Sequence, residues 1–195
     1  GIDTMTVAPE VFVCSDTETT QTVTLTVTDF GGNSSTCTSM VTIEDNLAPT
    51  ASCQDITVEL DAAGQVSITP DMIDNGSSDN CSIDTMWVTP ENFVCSDVGT
   101  PQTVTLTVQD GSGNSDNCTA TVTIEDNVSP DAVCQNITVE LDAAGQVSIT
   151  ADMIDNGSSD ACGIDTMWLD TYDFDCTNLG DNTVTLTVED VNGNT

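Results

Sequence analysis

The side chains best equipped for chemistry are nine cysteines and 33 carboxylates, in a chain of 195 residues with no lysine, arginine or histidine. Thiols can bridge, coordinate metals or act as redox centres. Without histidine, and without any C-x-x-C spacing, zinc binding and redox catalysis lack their usual partners. Disulfide formation in an oxidising compartment remains, and the regular cysteine spacing points to it. The carboxylates could act in pairs, as in glycosidases. However, no histidine or lysine can serve as a base, and no cation can stabilise a developing anion. We therefore expect a protein that is not an enzyme.

A net charge of −33 means that no side-chain salt bridge can form. Carboxylates drawn together by folding repel one another unless solvent ions or a bound metal intervene. Nucleic acid and anionic membranes need a basic patch, so neither is an expected partner. No apolar run approaches the roughly 20 residues of a membrane helix. Divalent cations are the natural ligands. The acidic residues gather in three loop sets, with Glu44, Asp45 and Asn46 closing one segment and leading into the next. Asp74, Asp79 and Asn80 form the second set, Asp110, Asn114 and Asp116 the third; Glu125, Asp126, Asn127, Asp155, Asp160 and Asp190 repeat the pattern downstream. If the fold brings these loops together, their oxygens suit calcium, which takes six to eight such ligands in irregular geometry. Taken singly, each loop also reads as an ordinary turn whose aspartate caps backbone groups.

The spacing that organises both sets is an internal repeat. Cys14, Cys95 and Cys176 recur every 81 residues, and so do the pairs Cys37/Cys118, Cys53/Cys134 and Cys81/Cys162. The segment from Cys53 to Thr69 returns from Cys134 to Thr150 with one change, Asp55 to Asn136. One full unit spans 47–127, preceded by the back part of another (1–46) and followed by the front part of a third (128–195). We expect an excerpt of a longer array; a subunit whose broken ends complete each other between molecules is the alternative.

Within a unit the apolar period is two, which predicts strands. Ile56, Val58 and Leu60 alternate with polar residues, as do Val104, Leu106 and Val108, and Ala120, Val122 and Ile124. One apolar and one threonine-rich face per strand predicts an all-β, two-sheet antiparallel sandwich. In the strand around Met86, threonine replaces tryptophan in one copy (Thr6 against Trp87 and Trp168), so Trp87 and Trp168 are expected outside and the methionines inside. A core tryptophan is the competing reading.

The order C-Q-x-I-T-V-E-L-D-x-x-G, D-N-G-S-S-D-N-C, N-F-V-C, T-V-T-L-T-V-x-D-x-x-G-N and C-T-A-T-V-T-I-E-D resembles the hyalin repeat (HYR) family along the whole chain. The resemblance implies tandem immunoglobulin-like sandwiches on extracellular or bacterial surface proteins, associated with adhesion. In such a layout the first and last strands run parallel, which implies the pair Cys53–Cys118. Cys81–Cys95 and Cys162–Cys176 would then close loops within their units. A bridge from Cys37 to Cys53 across the unit boundary is the rival scheme. The triplet Asp-Thr-Met, at Thr4, Thr85 and Thr166, resembles an O-glycosylation signal of bacterial surface proteins. The expected function is a calcium-stiffened structural or adhesive array whose partners are further copies of itself. The alternative is a module that binds glycan or protein through Trp87, Trp168 and the loops.

Overall fold

A computed structural model describes all residues, Gly1–Thr195. The chain is all-β. In order, the strands are β1 (Ile2–Ala8), β2 (Thr20–Asp29), β3 (Ser34–Thr42), β4 (Ile56–Glu59), β5 (Gln65–Ser67), β6 (Ile83–Thr89), β7 (Asn92–Val94), β8 (Gln102–Asp110) and β9 (Ser115–Glu125). They continue as β10 (Gln146–Ser148), β11 (Ile164–Leu169), β12 (Asp173–Asp175) and β13 (Leu186–Asp190). Two single-turn helices, α1 (Pro70–Ile73) and α2 (Ala151–Ile154), interrupt them. No helix is long and apolar enough to cross a membrane.

The chain divides into two compact units that do not coincide with the sequence segments 1–46, 47–127 and 128–195. The first comprises Gly1–Gln54, Pro70–Thr89 and Thr105–Ala120; the second comprises Asp55–Thr69, Pro90–Val104 and Thr121–Thr195. The end of one repeat packs with the loops of the next, so each compact unit draws on two repeats.

In the first unit β1, β2 and β3 form an antiparallel sheet in that order, with β2 central. β6 pairs antiparallel with β8, from Ile83 opposite Asp110 to Thr89 opposite Thr105. In the second unit β4 lies parallel to β9, with Ile56 opposite Val122 and Val58 opposite Ile124. That is the parallel first-and-last pairing expected of this layout. β5 pairs with β7, β10 with β12 and β11 with β13, all antiparallel.

The period-two pattern sets the burial. Along β8, Val104, Leu106 and Val108 are fully buried while the threonines between them are not, and along β9 the same holds for Ala120, Val122 and Ile124. Fully burying one such aliphatic side chain stabilises by about 1.5–3 kcal/mol. A smaller cluster in the second unit comprises Ile149, Ile154, Leu169, Leu186 and Val188. Trp87 and Trp168 are 43% and 36% exposed, so the tryptophans face outward and no core tryptophan exists; Met86 and Met167 are half-buried, but their equivalent Met5 is 64% exposed, against the expectation that the methionines lie inside.

Three disulfides form, and two differ from the expected scheme. Cys53–Cys118 is as expected, with a Cα–Cα distance of 5.8 Å. Cys81 bonds to Cys14 instead of Cys95, and Cys162 bonds to Cys95 instead of Cys176, each with Cα atoms 5.2 Å apart. Cys37, Cys134 and Cys176 are free, so no Cys37–Cys53 bridge forms either. The third repeat shows the physical reason. Cys162 precedes β11, whose six extended residues run roughly 20 Å away from it. The chain then enters β12, which pairs with β10 in a different sheet and does not retrace β11. Cys176 therefore stays at the far end, outside the 4.4–6.8 Å Cα range of a bridge. Cys14–Cys81 and Cys95–Cys162 both span 67 residues and join equivalent positions of consecutive repeats. They are staples between repeats.

Candidate metal centre

Asp45 follows the first repeat's last strand and is held by its own turn, Oδ1 accepting from Leu47 N–H at 3.1 Å. Asp79 caps the turn before β6, with Oδ2 accepting from Cys81 N–H (2.8 Å) and Ser82 N–H (3.1 Å). Asp110 ends β8 and organises the hairpin G-S-G-N, its Oδ1 accepting from the backbone of Ser112 (3.0 Å) and Asn114 (2.8 Å). The Asn114 side chain ties two of these loops together. It donates to Asp110 Oδ2 at 2.8 Å and to the Asp45 carbonyl at 3.0 Å. One oxygen from each of the three carboxylates then lies within 4.8 Å of the others. Asp45 and Asp110 are buried.

The second unit repeats this construction one period on. Asp160 Oδ1 accepts from Cys162 and Gly163 N–H at 2.7 and 3.1 Å. Asp190 accepts from Asn192 and Asn194, and the Asn194 side chain donates to the Asp126 carbonyl at 3.0 Å. Asp126 and Asp160 come within 4.8 Å of each other and of the Cys162 sulfur, which is committed to a disulfide and cannot act as a thiolate ligand. Asp190 is buried beside them in the fold's equivalent of Asp110 but outside that radius.

One substitution separates the two centres. In the first, Asn80 donates its side-chain amide to Asp45 Oδ2 at 3.1 Å. In the second Ala161 stands in that position, and Asp126 Oδ2 is buried with no partner. Asp79 Oδ1 in the first centre is likewise buried and unpartnered. An unpaired buried carboxylate oxygen is costly, and two carboxylates 4.8 Å apart repel by roughly 3 kcal/mol at an effective dielectric near 20. This chain has no side-chain cation to relieve either. The donor set is all oxygen, hard and anionic, the kind calcium takes, and a Ca–O distance of about 2.4 Å fits oxygens spaced this way.

Hydrogen bonding holds some of these groups ionised. The Asn114 side chain, followed by backbone donors, keeps the Asp110 carboxyl below its ordinary value. Burial pushes Asp190 up, but donors from Asn194 and Asn192 outweigh it and the net displacement is downward. Both groups therefore remain anionic, as a metal ligand must be.

The other expected ligands do different work. Asp74 and Asp155 cap the turns at Gly76–Ser77 and Gly157–Ser158, and hydroxyl and backbone donors from Ser77 and Ser158 lower their pKa values. Asp116 accepts from Ala51 N–H at 3.0 Å. Glu44 accepts weakly from Asn46, Asn127 donates to Glu59, and Glu125 is exposed. Asn80 and Asn114 belong to the loops read from the sequence as oxygen-rich, but their side chains act as amide donors that organise the first centre. Thr4, Thr85 and Thr166 are exposed on β1, β6 and β11. No family model and no curated protein matches the chain.

Proposed function

We propose that the chain serves as a structural or adhesive extracellular repeat array of the hyalin-repeat kind, in which calcium stiffens the contact between one repeat and the next. It has no catalytic role. The observation that carries this reading is the pair of partly buried carboxylate clusters, each formed where the end of one repeat meets the loops of the following one. Asp126 Oδ2 is the most telling atom, since it lacks any donor. The bridges Cys14–Cys81 and Cys95–Cys162 support the reading, because they make consecutive repeats covalently continuous and suit an oxidising environment. Glycans at Thr4, Thr85 and Thr166 would decorate such an array.

The test is imaging and thermal melting of the purified chain in calcium and in chelator. Calcium should raise Tm and yield extended, ordered assemblies that chelator loosens. An unchanged Tm and unchanged assemblies would refute the proposal. A second reading rests on the exposed indole faces of Trp87 and Trp168, which could stack on a sugar ring or a partner protein. Under that reading the chain stays dispersed and binds an immobilised glycan, and Trp87→Thr with Trp168→Thr abolishes the binding.

A further inference from the structure

We propose that calcium at the second centre and the Cys95–Cys162 staple are coupled clamps, each strengthening the other at the same repeat junction. The coupling rests on calcium being the ligand of that centre. Asp126 closes the middle repeat, whereas Asp160 belongs to the loop before β11 in the third. Their oxygens lie within 4.8 Å of each other and of the Cys162 sulfur. Asp160 Oδ1 accepts from Cys162 N–H at 2.7 Å and from Gly163 N–H at 3.1 Å. The third repeat's carboxylate is thus fixed to the residue that the disulfide ties to Cys95 of the middle repeat. Asp126 is only 7% exposed, and its Oδ2 has no partner. An ion touching that oxygen and Asp160 bridges the same two repeats as the disulfide.

With neither clamp in place, the chain has no side-chain cation to offset repulsion between the two carboxylates. Reducing the staple frees the Asp160 loop to move away from Asp126. Calcium must then draw both groups together before it can bind. With the staple closed that ordering is already done, so calcium binds more tightly. Linkage makes the effect reciprocal: the factor by which the disulfide tightens calcium is the factor by which calcium favours the disulfide. An ordinary cysteine thiol is protonated at neutral pH, so reduction brings no new anion to attract the ion.

The chemical step is reduction by a dithiol. One of its thiolates attacks the disulfide and forms a mixed disulfide. Its second thiol then closes a cyclic disulfide, and Cys95 and Cys162 leave as thiols with two electrons and two protons. Both cysteines are half-buried, which leaves the bond open to such a reagent. The junction is therefore stiffest where the surroundings are both oxidising and rich in calcium. Cys53–Cys118 is the internal reference, because it closes within one repeat and neither cysteine belongs to a carboxylate cluster.

The experiment equilibrates the full chain at neutral pH in dithiothreitol buffers of graded oxidised-to-reduced ratio. Calcium is compared with chelator at equal ionic strength, thiols are trapped by alkylation, and each bridge is read by mass spectrometry. Half-reduction of Cys95–Cys162 should need a buffer about tenfold more reducing in calcium, while Cys53–Cys118 shifts far less. Asp126→Asn should bring the two Cys95–Cys162 midpoints together. By calorimetry, Cys95→Ser with Cys162→Ser should weaken calcium at this centre by the same factor. Calcium that binds the oxidised chain yet leaves the Cys95–Cys162 midpoint in place would overturn the coupling alone. So would a shift that persists in Asp126→Asn, or one shared equally by Cys53–Cys118. If the oxidised chain binds no calcium in the calorimeter, the calcium reading itself falls, and the coupling with it.

Discussion

Asp126 and Asp45 differ in a single donor, and that difference makes the two centres unequal. Because Asp126 Oδ2 has no partner, removing its charge costs nothing when calcium is absent. Asp126→Asn should leave the Tm in chelator unchanged or raise it slightly, while removing most of the calcium-dependent gain. Ala161→Asn should reproduce the Asn80 contact and weaken calcium binding at that centre. Gly64 has a different constraint. Its φ is +70°, and a Cβ there would sit 2.6 Å from the Cys95 sulfur. Gly64→Ala should therefore cost more than Gly76→Ala, which adopts φ +85° in open space and should lose only about 1 kcal/mol of backbone strain in a denaturant melt. The carboxyl of Asp110 titrates lower when folded than when unfolded. Its stabilising contribution is therefore fully present above the unfolded value and is lost as pH falls through the folded one. Asn114→Ala should raise the folded pKa toward the ordinary value and shift acid unfolding to higher pH, measurable by circular dichroism across pH 2–5.

At the scale of elements, the staples and the strands carry separate loads. Each bridge closes a loop of more than 60 residues, which is worth roughly 4 kcal/mol in the chain-entropy model. Cys95→Ser with Cys162→Ser should lower Tm by several degrees yet leave β5–β7 and β6–β8 pairing intact, as judged by amide exchange. Trp87→Thr should be close to neutral for stability, since the first repeat carries Thr6 at that place. The strands were legible in the sequence because Val, Ile and Leu alternate strictly with threonine in β4, β8 and β9. The outward tryptophans were legible because threonine replaces one of them. The disulfide partners were not. Sequence proximity favours Cys81 with Cys95, and only the passage of the chain from one sheet to another shows that these ends separate. The metal-site ligands were half legible. Every loop is acid-rich, but which carboxylates turn inward depends on side-chain amides of Asn80 and Asn114 and on backbone caps. Those caps keep Asp74 and Asp155 in their own turns, and Asp116 is taken up by the Ala51 N–H.

For the whole molecule, the governing fact is a charge of −33 with no side-chain cation. Folding concentrates part of that charge in two clusters instead of spreading it over solvated loops. Monovalent salt screens the exposed carboxylates over about 8 Å but reaches buried oxygens poorly. Sodium chloride at high concentration should therefore raise Tm modestly, and micromolar-to-millimolar calcium should raise it further at constant ionic strength. The most direct measurement of the central claim is calorimetric titration of calcium into the oxidised chain, alongside an Asp45→Asn, Asp126→Asn double variant. Saturable binding of two ions, abolished in the variant, is the predicted result. Binding that fails to saturate, or that survives unaltered in the variant, would contradict it.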